Sequence, residues 1–155
     1  MLLPPFLLLG PDDEQVRAVT ALLSRIGLAN PVRVSPTFEA ARDYLQTCAT
    51  SRLPVIVLTC EAVPGAAGIT LIEWMRQQPD AIGALDVIAL MSEQDVDSSV
   101  RAQALGVSVV PTPVEMRALI AAMKSLALPE TAKIDPATLT VRVELWPRGS
   151  GISRQ

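Results

Sequence analysis

A chain of 155 residues with no histidine, two cysteines and a net charge of −3 excludes much chemistry at the outset. It has no imidazole for a general base, a metal site, a Ser-His or Cys-His pair, or a phosphohistidine. Its acidic balance gives no general attraction to phosphate backbones or anionic membranes, so neither nucleic acid nor membrane is expected as a partner.

Half of the residues are hydrophobic and only 3% aromatic, a mix that suits parallel strands covered on both faces. The cysteines, Cys48 and Cys60, are too few for a disulfide framework and suit a reducing, cytoplasmic setting. The opening MLLPPFLLL lacks a basic start and is broken by Pro4-Pro5, so it is read as a strand at Phe6 to Leu9 rather than a signal peptide. No other apolar run approaches the ~20 residues of a membrane span.

Gly10-Pro11 stops the first strand, and Asp12 caps a helix with Val16, Val19, Leu23 and Ile26 on one face and Gly27 closing it. Val32 to Val34 is a second strand. Ser35 as N-cap and Pro36 in the first turn then start a helix with Phe38, Ala41, Leu45 and Cys48 on its inner side. The run Pro54 to Leu58, PVIVL, is apolar throughout, as a strand buried on both faces requires. A third helix carries Ile69, Ile72 and Met75 and ends before Pro79; Val87 to Leu90 is a fourth strand.

Val96, Val100 and Ala104 are the expected buried stripe of a fourth helix, closed by Gly106, and Val107 to Val110 is the fifth strand. Thr112-Pro113-Val114-Glu115 reads as a capping box opening a fifth helix with Met116, Leu119, Ile120 and Met123 buried. Each crossover is a helix of ordinary length, so the fold class is α/β: five parallel strands with helices on both faces. Beyond residue 127 a polar linker with Pro129 and Pro136 leads to an extra strand at about 138–146, where Leu139, Val141, Val143 and Leu145 alternate with polar residues. Pro147 to Gln155 is a loose end, and Arg142, Arg148 and Arg154 belong to a solvated tail.

Ligands of open α/β sheets bind beyond the carboxyl ends of the strands. Here those ends are Gly10-Pro11, Cys60, Met91 and Pro111-Thr112, almost bare of reactive groups. A crevice of Gly10, Cys60, Val63 and Met91 would be apolar and either collapsed or open to a small hydrophobic ligand. Cys60 is either a reactive thiol or a small buried filler.

Over residues 5 to 127 the chain resembles the receiver domains of two-component response regulators, particularly the single-domain, phytochrome-associated type. The resemblance rests on the LLL strand with Asp12-Asp13 after it, VPGAAG at 63 to 68, GITLIEWMRQQP, VIALMS at 87 to 92 and RAQALGV at 101 to 107. It implies a flavodoxin/CheY-like sheet of order 2-1-3-4-5 and a phosphorelay role, with a sensor kinase or another signalling protein as partner. The tail strand Leu139 to Leu145 either packs on its own domain or adds to the sheet edge of a second copy, and a homodimer is expected, with the fourth and fifth helices as the other candidate surface. In that family an Asp after the third strand takes a phosphoryl group beside Mg²⁺ held by an acidic pair, and a hydroxyl and a Lys sense the phosphate.

Carried over, the phosphoacceptor falls on Cys60, the acidic pair on Gly10 and Pro11 with Asp12 just beyond, the hydroxyl on Met91, and the Lys on Thr112 or Pro111. Each departs from the family pattern. Mg²⁺ needs hard oxygen ligands, and a transferred phosphoryl group needs its charge neutralised. Asp12, Asp13 and Glu61 would make up a residual acidic site that holds Mg²⁺ weakly at most, although Asp12 and Asp13 are read first as helix-capping residues. The expected function is that of a pseudo-receiver acting by protein contact, with no catalytic residue, metal or cofactor; a small-ligand or redox sensor is the alternative. An enzyme using Cys60 would lack a histidine to activate it.

Overall fold

The computed structural model describes residues 3–10, 13–48, 52–60, 67–92, 94, 96–126, 128–138 and 140–147. In chain order its elements are β1 (Phe6–Leu9), α1 (Asp13–Ile26), β2 (Val32–Ser35), α2 (Phe38–Thr47), β3 (Ile56–Cys60), α3 (Ala67–Arg76), β4 (Asp86–Ser92), α4 (Val96–Ala104), β5 (Ser108–Thr112) and α5 (Met116–Ser125). Two further strands follow, β6 (Glu130–Asp135) and β7 (Thr140–Leu145). The first five strands form a parallel sheet of order 2-1-3-4-5, as expected, and β6 and β7 pair antiparallel.

Period-two alternation divides the core between the two faces of the sheet. Leu7, Leu9, Val57, Ala89 and Met91 pack with Ala41, Leu45, Ile72 and Met75 from α2 and α3. Phe6, Leu8, Leu58, Cys60 and Leu90 pack instead with Val19 and Leu23 of α1 and Leu119 of α5. Every residue of β3 is buried, as the apolar run at 54–58 requires.

Two helix starts differ from expectation. Ser35 is the last residue of β2, paired with Leu9, and the N-cap of α2 is Thr37, whose hydroxyl accepts from the Ala40 amide at 3.1 Å. Thr112 likewise stays in β5, opposite Ser92, because a residue before proline favours extended backbone. The Thr112–Pro113 peptide is cis, and α5 begins after Glu115, which makes no side-chain cap bond.

The fourth helix is turned over relative to the expected stripe. Val96 and Val100 are 61% and 59% exposed and Ala104 is exposed, while Ser98 and Ala102 are buried. Small inner side chains let this helix lie close to its neighbours, where Arg76 donates to the carbonyls of Leu105 at 3.0 Å, Gly83 at 3.0 Å and Leu85 at 2.8 Å. Burial lowers the pKa of that guanidinium from its usual value, and the carbonyls satisfy donors that water no longer reaches.

The stretch 130–135, expected as linker, is β6; its Pro129 and Pro136 lie just outside the strand. The hairpin docks by its inner half on the turn between α1 and β2. The Val143 amide donates to Gly27 O at 2.7 Å, and the Ala29 amide to Val143 O at 2.7 Å. Gly27 closes α1 at φ +93°, and a side chain there would overlap the Val141 carbonyl, so only glycine allows this approach. Asn30, 4% exposed, donates from Nδ2 to Pro4 O and Leu145 O and accepts from the Leu145 amide, all at 2.8 Å.

The outer half of the hairpin is uncovered. Ile134 and Val141 face one another across the two strands and are 67% and 49% exposed. Arg142 is also exposed and pairs with Glu144 at 3.2 Å. Leu139, Arg148, Arg154 and the rest of the loose end at 148–155 lie outside the described residues. Among the described residues no helix is long and apolar enough to cross a membrane.

Candidate functional site

The carboxyl ends of the central strands bring Gly10 and Cys60 together. Leu9 and Thr59 are register partners on adjacent strands, so the next residues of the two strands stand side by side. The Gly10 amide donates to Ser35 O at 3.1 Å, which holds the end of β1 to β2. A Cβ at position 10 would lie 2.5 Å from Val16 Cγ2 and 3.5 Å from Cys60 Cβ. The end of the first turn of α1 therefore fills the space into which a side chain at position 10 would project, and the branched Val16 has little rotamer freedom with which to yield.

Cys60 is 2% exposed and faces α1 and α5. Met91, 1% exposed, points through the opposite face into the core beneath α2, α3 and α4. The single crevice expected from Gly10, Cys60, Val63 and Met91 is thus divided by the sheet, because Cys60 pairs with Leu90 rather than Met91. Pro11, Asp12, Glu61 and Val63 lie outside the described residues.

The opening that does form is a cavity of about 430 Å³ on the α1 face. Cys60, Leu90 and Thr112 contribute from the strand ends; Glu14, Gln15, Ala18, Val19 and Leu22 from α1; Pro113 and Val114 from the segment leading into α5. Sequence reasoning missed the helical contribution. Its one signal is the apolar pair Ala18 and Leu22, one turn apart beside the Val19 and Leu23 stripe.

The electrostatics of this end are negative. Asp13 and Glu14 occupy the first turn of α1, where carboxylates complement the helix dipole. Among the described residues no Lys or Arg lines the cavity, and Lys124 stands in the last turn of α5. The hydroxyl of Ser92, one residue beyond Met91, accepts from the Gln94 amide at 3.2 Å and so closes a local turn. Neither Cys48 nor Cys60 is in a disulfide.

The described residues do not fit the Mg²⁺ ion that such a strand-end site employs elsewhere. Val16 occupies the place of a first ligand at position 10, Cys60 offers sulfur in place of a carboxylate, and among the described residues no three His, Cys, Asp or Glu side chains gather. Among the described residues an octahedral oxygen shell has too few donors.

No protein-family model matches the chain, and no curated protein does either. Among solved structures it is similar to the bacteriophytochrome response regulator RtBRR at 26% identity and a TM-score of 0.72, covering 88% of this chain and 84% of that one. The bacteriophytochrome response regulator AtBRR matches at 26% identity and a TM-score of 0.69, over 82% of this chain and 94% of its own. A response regulator in red light signaling of R. palustris shares the fold at 22% identity and a TM-score of 0.64, over 80% and 91%. Sheet order, helix placement and these likenesses together show that the chain has the CheY-like fold of response-regulator receiver domains and is similar to the bacteriophytochrome response regulators.

Proposed function

We propose that the chain is an atypical response regulator of two-component signalling that works by protein contact, without an aspartyl phosphate. The observation that carries this reading is the packing at the end of β1: Val16 fills the space an acidic side chain at position 10 would need, beside a buried thiol at position 60. Thr112 ends β5 without supplying the cation a phosphate would require. The partner is a sensor kinase, of the phytochrome type by analogy with the two bacteriophytochrome regulators, or another signalling protein. Neither nucleic acid nor membrane is a partner, and no reaction is catalysed. Incubation with acetyl phosphate and Mg²⁺ is expected to leave the intact mass unchanged while a receiver bearing the acceptor Asp gains one phosphate. The same gain on this chain would end the proposal.

The assembly is a homodimer built on the outer half of the hairpin. Ile134 and Val141 form an exposed apolar pair, and extended apolar edges seldom stay uncovered. Ile134→Lys combined with Val141→Glu is expected to weaken dimerisation at least tenfold, about 1.4 kcal/mol, while the melting point stays within a few degrees. Sedimentation velocity checks it: a wild-type monomer at tens of micromolar, or a dimer indifferent to the double change, removes the assembly.

A further inference from the structure

The cavity on the α1 face has the size, walls and charge of a small-molecule site. Its volume of about 430 Å³ falls within the range of ligand pockets, roughly 300–1,000 Å³. Ala18, Leu22, Leu90 and Val114 give it apolar walls. Among the described residues of its lining, Glu14 supplies the one carboxyl group.

Charge decides what class of molecule it takes. The amino end of α1 carries about half a positive charge, but Asp13 and Glu14 place two carboxylates in that first turn, so the described residues there favour a cation over an anion. The Gln15 Oε1 is buried without a hydrogen-bond partner, an arrangement that costs stability. Rotation about its terminal torsion, which is soft, turns that acceptor toward a donor in the cavity. Thr112 adds a hydroxyl on the far wall.

We infer that this cavity, between α1 and the β5–α5 segment, binds a small arylalkylamine: one apolar ring seated against Ala18, Leu22, Leu90 and Val114, with its ammonium directed to Glu14 and Gln15. The site is separate from the hairpin and does not depend on how the chain contacts its protein partner. Binding here would act on α1 and on the amino end of α5, two elements that no longer receive a signal from a phosphate.

The probe is 2-phenylethylamine, with phenylacetate as the near-isosteric anion. Backbone amide shifts of the full chain are followed during titration of each. The amine is expected to give saturable shifts centred on Leu22, Cys60, Leu90 and Thr112, with a Kd on the order of 1 mM, as suits so small a ligand, and the acid none. Glu14→Gln, at an exposed helical position, is expected to weaken the amine about three- to fivefold. Ala18→Phe, also exposed, fills the cavity from its rim and is expected to abolish the shifts without altering amides on the α2–α3 face. Absence of saturable shifts with 2-phenylethylamine in the folded wild type, equal binding of the acid, or undiminished binding by a folded Ala18→Phe chain would each overturn the inference.

Discussion

Replacing Asn30 with leucine is expected to release the C-terminal hairpin at a cost of about 2–4 kcal/mol. The wild-type amide satisfies two carbonyls and one amide in a buried place, and a leucine of similar size satisfies none. The cost has a ceiling: once it exceeds the free energy of docking, β6 and β7 lift off and water solvates the orphaned groups. The melting temperature should therefore fall by roughly 5–15 °C for a chain of this length, and amide exchange should quicken at Ala29, Val143 and Leu145 while Leu8 and Leu58 stay protected. Asn30→Asp keeps an acceptor for the Leu145 amide but sets a carboxylate against two carbonyl oxygens, so it should be no better tolerated. Uniform loss of protection across the sheet would show instead that the hairpin and the sheet unfold as one unit.

Gly10→Asp, which places a carboxylate at the end of β1, is expected to destabilise the fold by about 2–6 kcal/mol. Overpacking against Val16 contributes about 1–3 kcal/mol, and burial of an unpaired polar group adds a similar amount. Gly10→Ala isolates the first contribution. With Val16→Ala in the same chain the contact of 2.5 Å disappears, so the two changes should couple favourably by about 1 kcal/mol or more. Denaturant unfolding of the four chains measures that coupling. Strictly additive costs would mean that α1 does not press on β1 and that the acidic position is empty rather than occupied.

Much of the sheet was legible in the chain because its signals are local. PVIVL, VIAL and the short apolar run at 6–9 sit between breakers, and the first three helices pack the stripe their periodicity marks, whereas α5 buries Leu119 with Ala118, Ala122 and Met123 beside it and leaves the expected Met116 and Ile120 outside that cluster. The fourth misled because a four-residue spacing of Val96, Val100 and Ala104 competes with Ser98 and Ala102 on the other side. Hydropathy prefers the valines, whereas close packing over the sheet prefers the smaller residues. ETAKID at 130–135 was missed as a strand because its apolar positions are few, and only pairing with a partner strand gives it reason to extend.

The strand-end residues themselves, Gly10, Cys60, Met91 and Thr112, could be placed by register alone, but not the direction each one faces. That depends on which residue of β4 stands opposite Cys60: with Leu90 there, thiol and thioether part to opposite sides of the sheet. The cavity was hidden for a related reason. It is bounded by Glu14, Gln15 and Ala18 on one side and Val114 on the other, nearly a hundred positions apart, and nothing in either segment announces the other.

Asn30 has one more consequence. By holding Pro4 and Leu145 at once, it brings two distant points of the polypeptide within a single side chain's reach, at the amino edge of the sheet and away from Cys60 and Thr112. A reporter protein attached after residue 147 would leave the cavity mouth clear. A few glycines bridging those two points would permit the chain to be reopened at another surface loop with its strand order intact.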